Sequence, residues 1–308
     1  MNDLHKLTFF NKFVTIKVHI PCKNKEDYCL LMQRRDAMTN NIKTYTLFVR
    51  PDNRSKEIAN NFRNLFAGLS KSITETDDGD LIIAIGGDGT FLDAVSTAKF
   101  DDTKVFAGVN TGTLGFLQNI SPEEFCSFIQ FHSDKKELLT RKLFLPNITV
   151  KLDNNETHSF YAVNEVIIEG LHGHKISFSE YVNGDLFQRV SSNSICVACS
   201  TGDTAFSMNS GGAIDFSEHF QLVRTLVVPI QNAAYERFIS NPVICPHFHF
   251  EMDASSKSEI LVDGRLKTFD NQISAVDVSL YGAHYIHKLE LGSYSKVNTV
   301  RSKILGYN

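Results

Sequence analysis

Residues 81–92, LIIAIGGDGTFL, constrain the fold more than any other stretch. Leu81 to Ile85 is a short apolar run bounded by glycine, which reads as a buried strand. Gly86, Gly87, Asp88 and Gly89 follow, carrying one carboxylate and no other side-chain bulk. From Thr90 to Ala98 the apolar residues Phe91, Leu92 and Val95 recur at helical spacing. Strand, glycine turn and helix start together present bare backbone N–H groups to a phosphate. An acid in that turn would repel phosphates unless the chemistry needs it. Asp88 is therefore a candidate general base or metal-linked acid. The same glycines also suit a tight turn that needs only positive φ, and the residues alone leave both readings open.

The flanking segments extend the pattern. Tyr45 to Val49 reads as a first strand, followed by a Pro-Asp-Asn turn. Ser55 is placed to cap a helix running to about Leu69, with Ile58, Phe62, Leu65 and Phe66 on one face. Val105 to Val109 is another apolar run, ending in Asn110-Thr111-Gly112-Thr113-Leu114-Gly115, a second glycine-containing turn. Pro122 to Phe131 opens as a helix, with Glu123 and Glu124 in the first turn as the dipole prefers. Strands alternating with helices predict a parallel sheet. Both glycine turns then fall at its carboxyl edge, where open α/β sheets bind ligands.

Beyond about Leu139 the periodicity changes to two. Ile148, Val150 and Leu152 alternate with polar residues, and Asn183-Gly184 and Asp263-Gly264 sit between apolar flanks as hairpin signals. Residues 140–287 therefore read as a mostly antiparallel β domain with Phe248, Phe250 and Met252 facing its core. His247 and His249 share the opposite face. Two zinc ligands can have that spacing, but no acid or third histidine is placed to join them, so an exposed strand face is expected. Two stretches break the pattern. Cys199 to Ile214, CSTGDTAFSMNSGGAI, reads as a short helix from about Asp203 to Asn209 stopped by Gly211-Gly212. The hydroxyls of Ser200, Thr201 and Thr204 there either cradle an anion or ribose, or belong to a connector capped by Asp203. Asn164-Glu165 lies within an apolar run. Buried, the pair needs partners such as ribose hydroxyls; otherwise it marks a bend or a solvent-facing edge.

At 308 residues the chain suggests about two domains. A net charge of −4 gives no broad attraction to nucleic acid or membrane. No apolar run approaches the roughly 18 residues of a membrane span, and no signal-peptide core follows Phe9 and Phe10. Phe13 to Ile20 alternates as a strand would, without a functional signal. The six cysteines are scattered. Cys196 and Cys199 form a CxxC within an expected strand, which fits core thiols better than zinc, and a reducing cytosol fits the whole set.

The ordered set GGDGT (86–90), GVNTGTLGFL (108–117), NEV (164–166), TGDTAF with SGG (201–212) and VDG (262–264) resembles the NAD kinase family, with RKLFL (141–145) and the closing VRSKILGYN adding to the match. The resemblance runs from about residue 44 to the end. It implies a Rossmann-like α/β domain (42–139 plus 288–308) and a β-sandwich-like, NAD-binding domain (140–287), with the active site between them and residues 1–41 as an extension. It implies transfer of the γ-phosphoryl of ATP, or in some members of polyphosphate, to the 2′-hydroxyl of the adenosine ribose of NAD. Magnesium or another divalent cation, a cytoplasmic location and a homodimer or homotetramer are implied as well, with no protein-held metal site expected.

By position, Asp88 would accept the proton. Asp88, Gly89, Asn164, Glu165, Asn193, Thr204, Ala205, Phe206 and Asn209 would bind NAD. Gly86, Gly87, Gly89, Thr90 and Asp93 would face the phosphates. Several residues depart from the family pattern. Ser200 and Asp203 replace a proline and a hydroxyl residue, and Phe206 a tyrosine. Asn193 replaces an aspartate, Asp93 a basic residue, and Thr113 a histidine or serine. Residues 231–242, with Asn232, Tyr235 and Arg237, follow a divergent string. The alternatives are a catalytically impaired NAD(P)-binding regulator, or another GGDGT kinase acting on a lipid or sugar phosphate. There is no GxxxxGK[ST], so a P-loop kinase is not expected.

Overall fold

The computed structural model describes residues 35–39, 41–69, 73–112, 115–132, 137–216, 221–230, 237–292 and 295–306. The expected strand at 13–20 lies outside them, as do Thr113, Asn232 and Tyr235. The α/β part comprises β1 (Arg35–Thr39), β2 (Thr44–Val49), α1 (Asn53–Ala67), β3 (Thr74–Glu75), β4 (Leu81–Gly86), α2 (Asp88–Thr97), β5 (Val105–Asn110) and α3 (Pro122–His132). The β part opens with β6 (Glu137–Leu152), β7 (Thr157–Tyr161), β8 (Glu165–Gly170), β9 (Ile176–Val182) and β10 (Asp185–Cys199). It continues through α4 (Phe206–Asn209), β11 (Leu222–Pro229), β12 (Val243–Cys245), β13 (His247–Met252), β14 (Ser258–Val262), β15 (Arg265–Lys267) and β16 (Ile273–Leu289), before α5 (Lys296–Lys303).

β3, β2, β4 and β5 are parallel neighbours in that order. Every residue of β4 and β5 is buried, as expected of central strands covered on both faces. One face packs on Phe62 and Phe66 of α1 and Phe125 and Ile129 of α3. The other packs on Phe91 and Val95 of α2, joined by Leu143, Val163 and Ile286 from the β part. The two glycine turns adjoin at the carboxyl edge: Gly86 pairs with Asn110, and the Thr111 amide donates to the Gly86 carbonyl at 3.1 Å. Asp52, not Ser55, caps α1, accepting from the Ser55 amide at 3.0 Å. Ser55 is instead buried within the first turn, its hydroxyl 3.1 Å from that of Thr111. At α3, Ser121 and Glu124 form a reciprocal capping box, with side chain-to-amide bonds of 2.8 and 3.1 Å.

The β part is antiparallel, as the alternation predicts. Both hairpin dipeptides take the left-handed conformations the turns need: φ is 52° and 92° at Asn183 and Gly184, 49° and 73° at Asp263 and Gly264. Phe248, Phe250 and Met252 are buried. Cys196 and Cys199 are also buried, three residues apart on β10 and in different core clusters. One expectation is corrected here. An acid does join His247 and His249: Asp277 lies opposite His249 on β16, 2.7 Å from His247 Nε2 and 3.4 Å from His249 Nδ1. The opposite strand supplies it, which sequence spacing does not reveal. Among the described residues, no group of three or more His, Cys, Asp or Glu side chains is arranged to hold a metal ion.

β16 joins the two parts. It runs antiparallel to β13 and β6, then parallel to β5 at His287 and Lys288. The expected boundaries at 139/140 and 287/288 therefore fall inside continuous strands. β1 pairs with the start of β6 and covers its edge. Among the described residues, no helix is long and apolar enough to cross a membrane.

Candidate functional site

Two clusters make the candidate site. The first is the turn between β4 and α2. Gly87 is the N-cap of α2, with φ −118°, and the space where a Cβ of Gly89 would lie is open. Positive φ does not account for either glycine, whereas an open approach to the helix start does. Asp88 is the first residue of α2 and its carboxylate points into the second glycine turn. It accepts from the amides of Phe116, Leu117 and Gln118 at 3.0, 3.1 and 3.0 Å. Gly115 allows this wrapping, since a Cβ there would run into the Asp88 carboxylate. Ionised carboxylates have about four acceptor positions, and the Lys303 ammonium takes a further contact at 3.4 Å. Asp88 is thus fixed in direction while remaining partly exposed.

A buried polar layer supports this turn. Lys288, on β16, is fully buried and bonds to Asn119 and, at 3.2 Å, to Glu290. Burial pushes its ammonium down to about 8, and the Glu290 charge opposes the shift. Neither side-chain polar atom of the buried Gln118 has a hydrogen-bond partner.

The second cluster surrounds Asn164 and Glu165, where β8 begins. The hairpin acid Asp263 accepts from the amides of Val163, Asn164 and Glu165, at 2.9, 2.7 and 3.4 Å by the shortest contact of each. The backbone is therefore satisfied, but Asn164 Oδ1 and Glu165 Oε2 are buried without partners. The backbone does bend at Val163 and Asn164, but the pair is not open to solvent, for both residues are buried. Burial pushes the Glu165 carboxyl up to about 7, reinforced by the charge of Asp263. The turn after β10 packs directly on this pair. Cys199 donates its amide to the Asn164 carbonyl at 2.9 Å, and the Thr201 hydroxyl bonds to the Val163 carbonyl.

The expected helix at 203–209 is a correction. Only Phe206–Asn209 is helical, and Ala205 precedes it without a side-chain cap. Asp203 caps nothing. It is fully buried and held by Lys296 Nζ at 2.6 and 2.7 Å and by the Asp215 amide at 2.7 Å. Its carboxyl is nonetheless pushed up by burial, with Lys296 opposing. Thr204 is buried, Ala205 half-buried, and Phe206 and Asn209 exposed.

Two expected residues stand apart. Asp93 is exposed and paired with Arg265 of β15, so its carboxylate is committed to a cation rather than turned to a phosphate. Asn193 lies six residues before Cys199 on β10, about 20 Å along an extended strand, and donates to the Gly173 carbonyl at 3.3 Å. Within one chain it does not meet the others. Sequence reasoning missed Lys296, Lys303, Arg265, Lys288 and the role of Asp263. The string VRSKILGYN signalled only Lys303, and only as part of a match.

Residues 34–133 match the ATP-NAD kinase N-terminal domain. The chain is 27% identical over 263 residues to the NAD kinase of Finegoldia magna, covering 82% of this chain and 94% of that protein. The chain is thus similar to NAD kinases, by its N-terminal domain and over most of its length. The NAD kinase of Tropheryma whipplei is 36% identical over 165 residues, 53% of this chain and 52% of that protein. The match thus spans about half the length of that relative. Solved NAD kinase-family structures share the fold. Yeast NADH kinase complexed with NADH superposes with a TM-score of 0.70 at 17% identity, covering 90% of this chain and 95% of that one. An NAD kinase from Archaeoglobus fulgidus in complex with ATP gives 0.63 at 18% identity, covering 84% and 99%.

Proposed function

We propose that this chain is an NAD kinase, transferring the γ-phosphoryl of ATP to the 2′-hydroxyl of the adenosine ribose of NAD. The observation that carries the reading is the buried, unpartnered Asn164–Glu165 pair beside the hydroxyl-bearing turn at 199–204. Leaving such atoms unpaired costs roughly 1–3 kcal/mol each, which a diol-bearing ligand would relieve. The solved neighbours, one named with NADH and one with ATP, support the same ligand classes.

In this reading the amides at the start of α2 receive the donor's phosphates, and Asp88 faces the 2′-hydroxyl. The bond from the 2′ oxygen to the γ phosphorus forms, and the bond from that phosphorus to the β–γ bridging oxygen breaks. The bond's electron pair leaves on ADP, and the hydroxyl proton passes to Asp88. Catalysis here is mostly positioning, with the proton taken late. The three amides on Asp88 hold its direction. Its carboxylate is turned to those amides, and Asp93 is paired with Arg265. This donor set fits a divalent cation carried by the donor's phosphates and water better than one held by the chain. When bound, such a cation neutralises phosphate charge.

Both acidic departures that favour a non-catalytic regulator have cationic partners, Asp93 in Arg265 and Asp203 in Lys296. Neither leaves an uncompensated charge against the phosphates. The test is incubation of the protein and of Asp88→Asn with ATP, magnesium and NAD, reading NADP with an NADP-specific dehydrogenase. NADP from the wild type alone is the expected result. NAD binding without NADP from either protein would favour the regulator, and lipid phosphorylation without NADP the other GGDGT kinases.

A further inference from the structure

The C-terminal helix α5 carries a lysine at each end, and each reaches a different half of the site. Lys296 Nζ is buried against the acceptor-side turn. It donates to both Asp203 oxygens, to the Ser200 carbonyl at 2.7 Å and to the Asp215 carbonyl at 3.0 Å. Lys303 lies seven residues later, two helical turns and about 10 Å along the same face. Its ammonium is 3.4 Å from Asp88 Oδ2 and 5.0 Å from the centre of the Phe116 ring. Buried Thr299 and Val300 fix the helix between them.

Phosphoryl transfer brings further negative charge to a turn that already holds Asp88. Position 93 on α2 supplies an acid rather than a cation. Three other cations near this edge have carboxylate partners elsewhere: Arg50 with Asp52 at 2.6 Å, Arg265 with Asp93, and Lys288 with Glu290 at 3.2 Å. Lys303 has Asp88 as its ion-pair partner among the described residues. We infer that Lys303 is a catalytic cation of the phosphoryl transfer, meeting the charge of the transferred group beside Asp88, and that Lys296 is the positioning residue that holds its helix to the acceptor-side turn. The inference rests on the NAD kinase reading.

The experiment compares wild type, Lys303→Met, Lys303→Arg and Lys296→Met in the NADP assay, with kcat and the KM for NAD separated and thermal melting recorded. Lys303 is partly exposed, so Lys303→Met should melt as wild type does. Its kcat should fall about 10- to 100-fold, the scale of losing one charge-stabilising group, with the KM for NAD within about twofold. Lys303→Arg should recover part of the loss. Lys296→Met should lower kcat and raise the KM for NAD together, since it releases both the turn and the helix. An active wild type with Lys303→Met at the same kcat would overturn this inference alone. A wild type that binds NAD but makes no NADP would overturn the kinase reading and this inference with it.

Discussion

Glu165 offers a quantitative test of the acceptor cluster. Its carboxyl titrates at about 7 in the folded chain against an ordinary 4.5, because burial disfavours the charge and Asp263 adds to the effect. The folded state therefore holds this proton more tightly than the unfolded one. The stabilisation is fully present below pH 4.5 and is lost as pH rises to about 7. At 1.36 kcal/mol per pH unit the loss between pH 5 and pH 8 is about 2–3 kcal/mol. Glu165→Gln removes the titration. Relative to wild type, the variant should gain that amount on going from pH 5 to pH 8, measured by urea unfolding followed by circular dichroism, since the chain has no tryptophan. A difference between the two proteins that did not change with pH would refute the burial of this charge. The same titration extends to binding. A ligand that donates hydroxyls to Glu165 favours the carboxylate, so NAD should bind more tightly as pH rises from 5 to 7 in wild type, and the trend should flatten in Glu165→Gln.

Three further outcomes are expected. Asp88→Asn should lower turnover by at least about 100-fold, the range for losing a positioned base, with NAD affinity by calorimetry close to wild type; a near-normal rate would remove Asp88 from the chemistry. Gly115→Ala should lower kcat, because its methyl group would displace the Asp88 carboxylate from a buried turn; unchanged kcat would mean the turn yields without moving Asp88. Lys288→Met should leave Glu290 with Arg141 as its cation, at 3.5 Å, and destabilise the fold by about 1.5–3 kcal/mol, the scale of one charged hydrogen bond, read by urea unfolding; a neutral effect would mean that this layer is hydrated.

Much of the architecture was legible because it is local. The apolar run at 81–85, the alternation after residue 139 and the Asn-Gly and Asp-Gly hairpins each carry their structure in adjacent residues. Both glycine turns were placed at one sheet edge by the parallel-sheet rule, and Gly86 opposite Asn110 meets that expectation. The misses are long-range. Asp203 looked like a cap because Asp-x-x before a helical run usually is one. Its actual partner, Lys296, is 93 residues away. Asp93 looked like a misplaced charge because Arg265 is 172 residues away. No periodicity or spacing reports such pairs.

The same long-range contacts bring the two halves of the proposed site together. Asp88 sits at the start of α2, and Glu165 starts a strand in the antiparallel part. Val163, immediately before the Asn164–Glu165 pair, packs in the same cluster as Phe91 and Ala84, so the acceptor pair is seated on the flank of the helix that Asp88 begins. β16 carries the antiparallel part directly into the parallel sheet, and its Lys288 bonds to Asn119, one residue beyond the amides that hold Asp88. A rigid-body movement of one cluster against the other would have to break that strand pairing or pull α5 from Asp203. The geometry therefore favours a site whose two halves are already set before ligand arrives, with ligand supplying the missing partners of Asn164 and Glu165 rather than closing a hinge.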